Sequence, residues 1–426
     1  MPRLTVVAPQ QSHFSTEEST SPSHGSRSTW APAIENFNPM WFSICISSGG
    51  LGLVLNAPFP YPARWLSICG DILFGIELLL FVGFLGIMAA RWILYPRSAL
   101  QRLLSDQQEL CAYAIIPITL LTIAALVASQ ISTAWGGYPF TIVAYVLWWI
   151  AMTMIMLYCV AVISILSYSS QHVGSVMMPA LFLPIVGVAT AAVEAASVSA
   201  KAYDLSITLA VPVIIMGYFL LGLSTWMAII LYTVFFHRLM TLGWPPSSGV
   251  AGLAILVGPS GQIASGFQLL GENAGESGLF AQYEGGTFFT EQTGAIFESA
   301  GTLLAMLFMG LAFMWFLVAA YAIVDMGLLK RRQKYTLTWW AVVFPIVTLD
   351  TAIIQLAKSM DSPALRVLAT ALFVFLFTAY LINWILTIWS VFQGDILFAP
   401  AQPLPKGDEA DHAQHDTDYS DGPLLV

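Results

Sequence analysis

Two carboxylic acids lie inside long uncharged stretches of this sequence, and they are the residues best placed to do chemistry. Glu194 stands among small residues, and Asp350 directly follows the run WWAVVFPIVTL. An ionisable group in such a segment is costly, so by default it marks a functional position. Three interpretations stay open for each acid: it is neutral, it lies near one end of its segment, or it takes part in proton transfer. Three further acids are predicted to pair with polar groups between helices: Asp71, Glu77 and Glu298.

Motifs of enzyme chemistry are missing from the sequence. It contains no Walker loop, no dinucleotide-binding glycine pattern, no His pair at helix spacing for zinc and no G-x-S-x-G elbow. The run GPSGQIASG at 258–266 is superficially like a phosphate loop but lacks the closing Gly-Lys-Ser/Thr. The four cysteines match no metal or redox spacing. We therefore predict no enzyme activity, no cofactor and no metal.

The composition indicates a membrane protein. Of the 426 residues, 58% are hydrophobic and 9% are charged, whereas a soluble domain carries about 25% charged residues. Apolar runs long enough to cross a hydrocarbon core about 30 Å thick recur along the chain. They predict an all-α integral membrane fold with ten spans: 40–56, 66–92, 111–132, 140–168, 177–199, 206–236, 248–270, 295–328, 337–357 and 365–392.

Helix breakers fall at or near the middle of alternate spans. A proline removes an N–H and frees a carbonyl, and in a bilayer such backbone is tolerated mainly where it is packed in protein or lines a wet cavity. The breakers predict five kinked odd-numbered helices around a pore, with the even-numbered helices outside them. The alternative is that the kinks serve packing alone. The predicted breaks are Pro117, Pro184, Pro259 and Pro345, with Gly49 and Gly50 in the first span.

The odd spans are rich in small and hydroxylated residues and carry no mid-membrane Lys or Arg. Broken helices present free N–H groups that favour anions, and without a fixed cation the anion is not held too tightly. The sequence therefore favours a weak anion pathway. The alternative is that the hydroxyls donate to carbonyls of their own helices. The residues predicted to line the pathway are Ser47, Ser48, Ser260, Gln262 and Thr348.

Basic residues predict the orientation, because Lys and Arg accumulate in cytoplasmic loops. The loops after spans two, six and eight are basic, whereas loop 271–294 has four glutamates and no base; both termini are therefore predicted to be cytoplasmic. Residues 1–35 and the acidic 396–426 are predicted to be disordered tails around a transmembrane domain, 36–395. The basic residues are Arg91, Arg97, Arg102, Arg238, Lys330, Arg331, Arg332 and Lys334.

Five motifs, in matching order, resemble those of one known family. They are NFNPMWFSICISSGGLG at 36–52, FPYPARWLSIC at 59–69, YVLWW at 145–149, GPSGQ at 258–262 and WWAVVFP at 339–345. They are similar to the fungal sulfite efflux pumps of the tellurite-resistance/dicarboxylate transporter family, which also holds fungal malic acid transporters and plant slow anion channels. The likeness runs from about residue 36 to 395. FPYPARW is its most specific piece and favours the sulfite branch.

The resemblance implies an architecture and a gate. The architecture is ten helices in five hairpins, with an inner ring of odd helices around a pore in each subunit, assembled as a homotrimer. The gate is Phe344, directly before Pro345, whose ring would plug the pore by steric block and dewetting. The alternative for Phe344 is an ordinary packed aromatic residue.

Two transport functions stay open. The first is efflux of sulfite or bisulfite across the plasma membrane. The second is transport of malate or another C4 dicarboxylate, alone or together with protons, although a dicarboxylate asks for a wider passage and a fixed cation. A receptor or scaffold without transport is the third alternative. The lipid bilayer and a small anion are the expected partners, and no nucleic acid is expected.

Overall fold

The computed structural model of the protein describes residues 31–56, 59–168, 177–201, 204–245, 247–329, 335–394 and 396. This part of the chain is helical and contains no strand, as the composition predicts. Its long helices are α1 (Pro39–Asn56), α2 (Arg64–Leu94), α3 (Ile115–Leu126), α4 (Gly137–Tyr168), α5 (Pro179–Ala200), α6 (Ile207–Leu242), α7 (Gly249–Ala274), α8 (Glu291–Met326), α9 (Leu337–Ser359) and α10 (Pro363–Gln393).

Both predicted tails fall almost wholly outside the described residues. Within them the structure describes a short helix, Ala31–Glu35, and Ile396. The basic cluster from Lys330 to Lys334 also lies outside the described residues. The remaining short helices connect long ones: Pro96–Ser105 and Gln107–Ala112 lie between α2 and α3, and Leu279–Gln282 between α7 and α8.

Nine segments of the described chain are long and apolar enough to cross a membrane. One of them, Gln107–Tyr168, is 62 residues long and contains both α3 and α4. Its two halves lie side by side, because Tyr158 Oη donates a 2.5 Å hydrogen bond to Leu110 O. The chain reverses near Gly137, whose φ of +57° favours glycine. This segment therefore folds back on itself.

Buried and exposed helices alternate along the chain. In the most apolar part of each, 89% of α1, 100% of α5, 94% of α7 and 78% of α9 is buried, against 28% of α2, 44% of α6, 28% of α8 and 22% of α10. In α4 the buried residues recur at every third or fourth position from Thr141 to Val162, so one side of that helix is exposed. The exposed side chains of these helices are largely apolar, which suits contact with lipid.

Helix contacts follow a regular scheme. Each buried helix packs against the exposed helix that follows it: α1 on α2, α3 on α4, α5 on α6, α7 on α8 and α9 on α10. The buried helices also pack against one another: α1 on α3, α3 on α5, α5 on α7, α7 on α9, and α9 on α1.

The breaks at the prolines are changes of helix type. In α5, α7 and α9, turns of 3-10 helix come first and an α-helix follows. A proline in the first turn of an α-helix loses no α-helical hydrogen bond, because the N–H at that position has no partner within the helix. The predicted kinks in continuous α-helix are therefore junctions in the structure. Each proline is the second or third residue of its α-helical stretch: Pro117, Pro184, Pro259 and Pro345.

Arg91 is not the loop residue that the sequence predicts. It lies in the last turn of α2 and is fully buried. Its Nη1 lies 2.6 Å from Glu109 Oε1 and donates a 2.8 Å hydrogen bond to Phe37 O. A buried guanidinium is tolerated when paired in this way. Arg91 therefore ties the chain before α1 to the start of the α3 segment.

Candidate functional site

Phe344 and Gly50, two residues singled out in the sequence, meet at the contact between α9 and α1. The Phe344 side chain is 4% exposed. A Cβ atom built on Gly50 would lie 3.1 Å from Phe344 Cδ2 and 3.2 Å from Val347 Cγ1, which is tighter than most side chains allow. Glycine at position 50 therefore lets the phenylalanine ring lie directly against the α1 backbone.

A small cavity, which we call the Phe344 cavity, adjoins this contact. Its volume is about 20 Å³. A water molecule needs roughly 10–15 Å³ by this measure, so the cavity has room for about one water and none for an oxyanion. None of the described residues that line it is charged. All five buried helices contribute to it, through residues that include Ser43, Ile118, Val186, Ile255, Trp340 and Phe344.

A larger cavity, the Lys358 cavity, lies at the other end of α9. Its volume is about 230 Å³, and two basic side chains line it, Lys358 and Arg366. Fourteen residues of helix from Phe344 to Lys358 correspond to about 21 Å at 1.5 Å per residue. Phe59 and Pro60, the first residues of the FPYPARW motif, line the same cavity.

Both basic groups at the Lys358 cavity also contact acids. Lys358 Nζ lies 2.7 Å from Glu272 Oε1 and 3.6 Å from Glu276 Oε2. Arg366 pairs with Asp361. None of these three acids lines the cavity itself. The cavity therefore presents two cations whose carboxylate partners lie outside its wall.

The predicted lining residues bond within the helix bundle. The hydroxyls of Ser47 and Ser48 donate to Ser43 O and Ile44 O of their own helix, at 2.7 and 2.9 Å. Ser260 and Thr348 likewise donate to carbonyls three residues earlier, at 3.2 and 2.7 Å. Gln262 Nε2 donates to Thr190 Oγ1 at 3.0 Å and so joins α7 to α5. This packing agrees with the alternative of local hydroxyl bonds, and their role as a lining stays a prediction.

Polar contacts join α7 to α9. Ser265 Oγ lies 3.2 Å from Thr348 O, and Gln268 Nε2 lies 3.2 Å from Ala352 O. A Cβ built on Gly261 would overlap Thr348 Oγ1 and lie 2.9 Å from Leu349 N. The backbones of α7 and α9 are thus in direct contact and are bonded through side chains.

The predicted proton-coupling acids are both inside the bundle. Glu194 on α5 is 3% exposed. Asp350 on α9 is fully buried, and neither of its carboxyl oxygens has a hydrogen-bond partner among the described residues. Asp350 is therefore not at an exposed surface of the described chain. Two more acids are buried in the described chain: Glu109, which pairs with Arg91, and Glu77 on α2, which the sequence assigned only to polar pairing.

Sequence reasoning missed the apolar wall of the Phe344 cavity. Ile118, Val186 and Ile255 face it, yet nothing distinguishes them from the many other aliphatic residues of the buried helices. The helix register could not be fixed either, because α5 and α7 are buried on nearly all sides. The breaks were found because proline and paired glycine are unusual inside apolar spans, and Phe344 was found through the resemblance of its motif.

Comparison with known proteins identifies the family. The model of the voltage-dependent anion channel family, SLAC1, matches residues 36–388. This chain belongs to the SLAC1 family. The match confirms the resemblance seen in the five motifs and covers every helix from α1 to most of α10.

Named relatives of this SLAC1-family chain divide into two groups. The sulfite efflux pump SSU1 of Arthroderma benhamiae is 26% identical over 386 residues, which are 89% of this chain and 97% of that protein. The sulfite efflux pump SSU1 of Saccharomyces cerevisiae is 23% identical over 80% of this chain and 84% of its own length. A putative malic acid transport protein of Schizosaccharomyces pombe is 25% identical over 388 residues, 88% of this chain and 84% of that protein.

Proposed function

We propose that this protein conducts a small oxyanion, sulfite or bisulfite, outward across the plasma membrane through a pore that Phe344 closes. One observation carries the proposal. The Phe344 ring lies against Gly50 beside an uncharged cavity of about 20 Å³ to which all five buried helices contribute. A narrow apolar constriction excludes ions by steric block and dewetting. The packing described here is then the closed state.

The proposed architecture has ten membrane crossings in five hairpins, with the five odd helices as an inner ring and the even helices as an outer ring. Three facts support it: the chain reversal near Gly137, the return contact of α9 on α1, and the alternation of buried and exposed helices. We propose in addition a homotrimer, one pore per subunit and cytoplasmic termini.

Opening requires the Phe344 ring to leave Gly50. The inward-negative membrane potential then drives anion exit by about 2.3 kcal/mol per charge per 100 mV, so export needs no ATP. An anion crossing the Phe344 cavity meets no fixed charge among its described lining residues. The fully buried base Arg91 is held by Glu109. The anion is therefore bound only weakly along the proposed pathway and passes quickly.

Malate or another C4 dicarboxylate is the second candidate. Two malic acid transport proteins of Schizosaccharomyces pombe, at 25% and 24% identity, each align with 88% of this chain, against 89% for the sulfite efflux pump of Arthroderma benhamiae. Identity alone therefore does not separate the two substrates. The small Phe344 cavity favours the smaller anion, since a four-carbon dicarboxylate asks for a wider passage.

The deciding experiment measures reversal potentials of the purified chain in bilayers bathed by defined sulfite, chloride and malate solutions. We expect sulfite to shift the reversal potential strongly and malate to shift it little. Sulfite export from cells that carry the chain, with malate as competitor, provides the matching cellular measurement. A malate-selective current without sulfite flux would overturn the sulfite assignment, and no current for any anion would overturn the conduit.

Glu194 and Asp350 remain proposed as proton-coupling residues. Glu194→Gln is expected to keep sulfite conductance near normal and to remove any proton movement that accompanies it, measured as a pH change inside vesicles. Loss of the folded protein in this variant would instead make Glu194 a structural residue.

A further inference from the structure

Glu77 is an acid on the buried stripe of an otherwise exposed helix. That stripe of α2 runs through Leu73, Phe74, Glu77 and Phe81, and Glu77 itself is fully buried. Gly49 of α1 has no side chain, and the Glu77 carboxyl group fills the space that this leaves. A Cβ built on Gly49 would overlap Glu77 Oε1. Glu77 therefore reaches past α1 toward the buried helices, which an acid with a purely local role at the α2 surface would not do.

The groups around Glu77 are neutral or acidic. Thr122 of α3 touches its carboxyl group, and Glu194 of α5 acts on it electrostatically. The other described titratable groups near Glu77 are the Cys45 thiol of α1 and the Tyr380 hydroxyl of α10. Glu77 Oε2 has no hydrogen-bond partner among the described residues. An ionised carboxylate here would be a buried charge beside a second acid, which is strongly unfavourable.

The hydrogen bonds at Thr122 are complete only if Glu77 holds a proton. Thr122 Oγ1 lies 2.5 Å from Glu77 Oε1 and 2.8 Å from Thr119 O. A threonine hydroxyl has one proton and so donates to one of these acceptors. A protonated Glu77 donates to Thr122 Oγ1, which then donates to Thr119 O, and both contacts are satisfied.

The position of Glu77 places this proton next to the residues of the proposed gate. Gly49 holds the carboxyl group, and the next residue, Gly50, holds the Phe344 ring. A carboxylate that loses its proton needs water or a cation. Water can reach it only if α1 shifts relative to α2 and α3, and any shift of α1 also changes the contact of Gly50 with the Phe344 ring.

We propose that Glu77 is a proton-binding site that controls the conduit: it is protonated in the closed packing, and its ionisation favours the open pathway. The proposal rests on the proposed conduction of anions for its functional consequence. The proton site itself does not depend on that function. It differs from the proposed roles of Glu194 and Asp350 because Glu77 gains or loses its proton to set the state of the conduit and does not carry it across the membrane with the anion.

The test uses the full chain and the substitution Glu77→Gln, which keeps the shape of the neutral acid and cannot ionise. Asp71→Asn is the matched control, since it removes an acid from an exposed position on the same helix. Chloride is the probe anion because, unlike sulfite, it does not titrate. We expect the chloride conductance of the unmodified chain and of Asp71→Asn to rise with pH, and that of Glu77→Gln to lose this dependence.

Infrared spectroscopy of the purified protein tests the proton without transport. The unmodified chain should show the C=O stretching band of a protonated carboxylic acid that Glu77→Gln lacks and Asp71→Asn keeps. An absent band, an unchanged pH profile in Glu77→Gln, or failure of that near-isosteric variant to fold would each overturn the proposal. If no anion is conducted by the unmodified chain, the proposed function fails, and the infrared band still decides whether Glu77 holds a proton.

Discussion

The two cavities along α9 differ in size and in chemistry. The Phe344 cavity holds about 20 Å³ and has an uncharged wall, whereas the Lys358 cavity holds about 230 Å³ and has two basic groups in its wall. An ion keeps its hydration shell in the second and loses it in the first. In the proposed pathway the barrier to anion passage lies at the Phe344 cavity, and we expect the Lys358 cavity to raise the local anion concentration.

Removing the Phe344 ring should change anion conductance more than any of the substitutions described below. Phe344→Ala opens the closed packing, and we expect resting anion conductance to rise by at least about tenfold, which is a barrier change of ~1.4 kcal/mol. The control is Phe81→Ala, which removes an equally aromatic buried side chain that packs on Phe42 between α2 and α1. Equal conductance in the two variants and the unmodified chain would place the barrier elsewhere.

A polar side chain in the wall of the Phe344 cavity should also raise anion conductance, but by a smaller factor. Val186→Thr replaces a lining methyl group with a hydroxyl at nearly constant volume, so water enters more easily. We expect single-channel conductance to rise a few-fold, or less than about 1 kcal/mol of barrier. Val198→Thr, on the same helix and fully buried but away from the cavity, is the control. A similar rise in both variants would show a general loosening of α5.

Neutral substitutions at the Lys358 cavity should lower conductance. Lys358→Gln and Arg366→Gln each remove a positive charge, and a unit charge about 4 Å away in water contributes about 1 kcal/mol, so we expect a decrease of up to about fivefold at low salt. The decrease should vanish at high ionic strength because salt screens exposed charges. Arg64→Gln, an exposed charge that does not line the cavity, is the control. A decrease that persists at high salt would contradict an electrostatic role.

Replacing Asp361, the acid that pairs with Arg366, should change anion conductance least. Asp361→Asn removes the partner of Arg366, and because Asp361 is 87% exposed we expect the free energy of unfolding to change by less than about 1 kcal/mol. Asparagine also tolerates the φ of +46° at this position. Arg366 is then free to attract anions, so conductance at low salt should rise slightly. A lower conductance would mean that the acid positions Arg366.

The helices were predictable from the sequence, and their contacts were not. The ten apolar spans match α1 to α10 with ends that differ by a few residues, because length and hydropathy are local properties. The alternation of breakers identified the helices that the structure buries. The form of the breaks was not predicted: Pro184, Pro259 and Pro345 follow 3-10 turns, and this depends on packing that a proline alone does not reveal.

The contacts of individual residues were likewise not predictable from the sequence. Phe344 stood out through its motif, and its contact with Gly50 agrees with the proposed gate. Arg91 was assigned to a loop, because nothing in the sequence places Glu109 beside it. Glu77 was predicted to pair between helices, and it does meet Thr122 on α3. That Gly49 makes room for its carboxyl group follows only from three-dimensional packing.

The bonds between α7 and α9 determine which part of the bundle can move. The side chains of Ser265 and Gln268 lie 3.2 Å from carbonyl oxygens of α9, and these contacts hold the two backbones together. The seam between α9 and α1 is different, since at Gly50 it consists of apolar atoms in contact without such fasteners. In the proposed gating, opening therefore involves α1, a helix with glycine at positions 49, 50 and 52, and we expect conformational probes attached there to report it before any others.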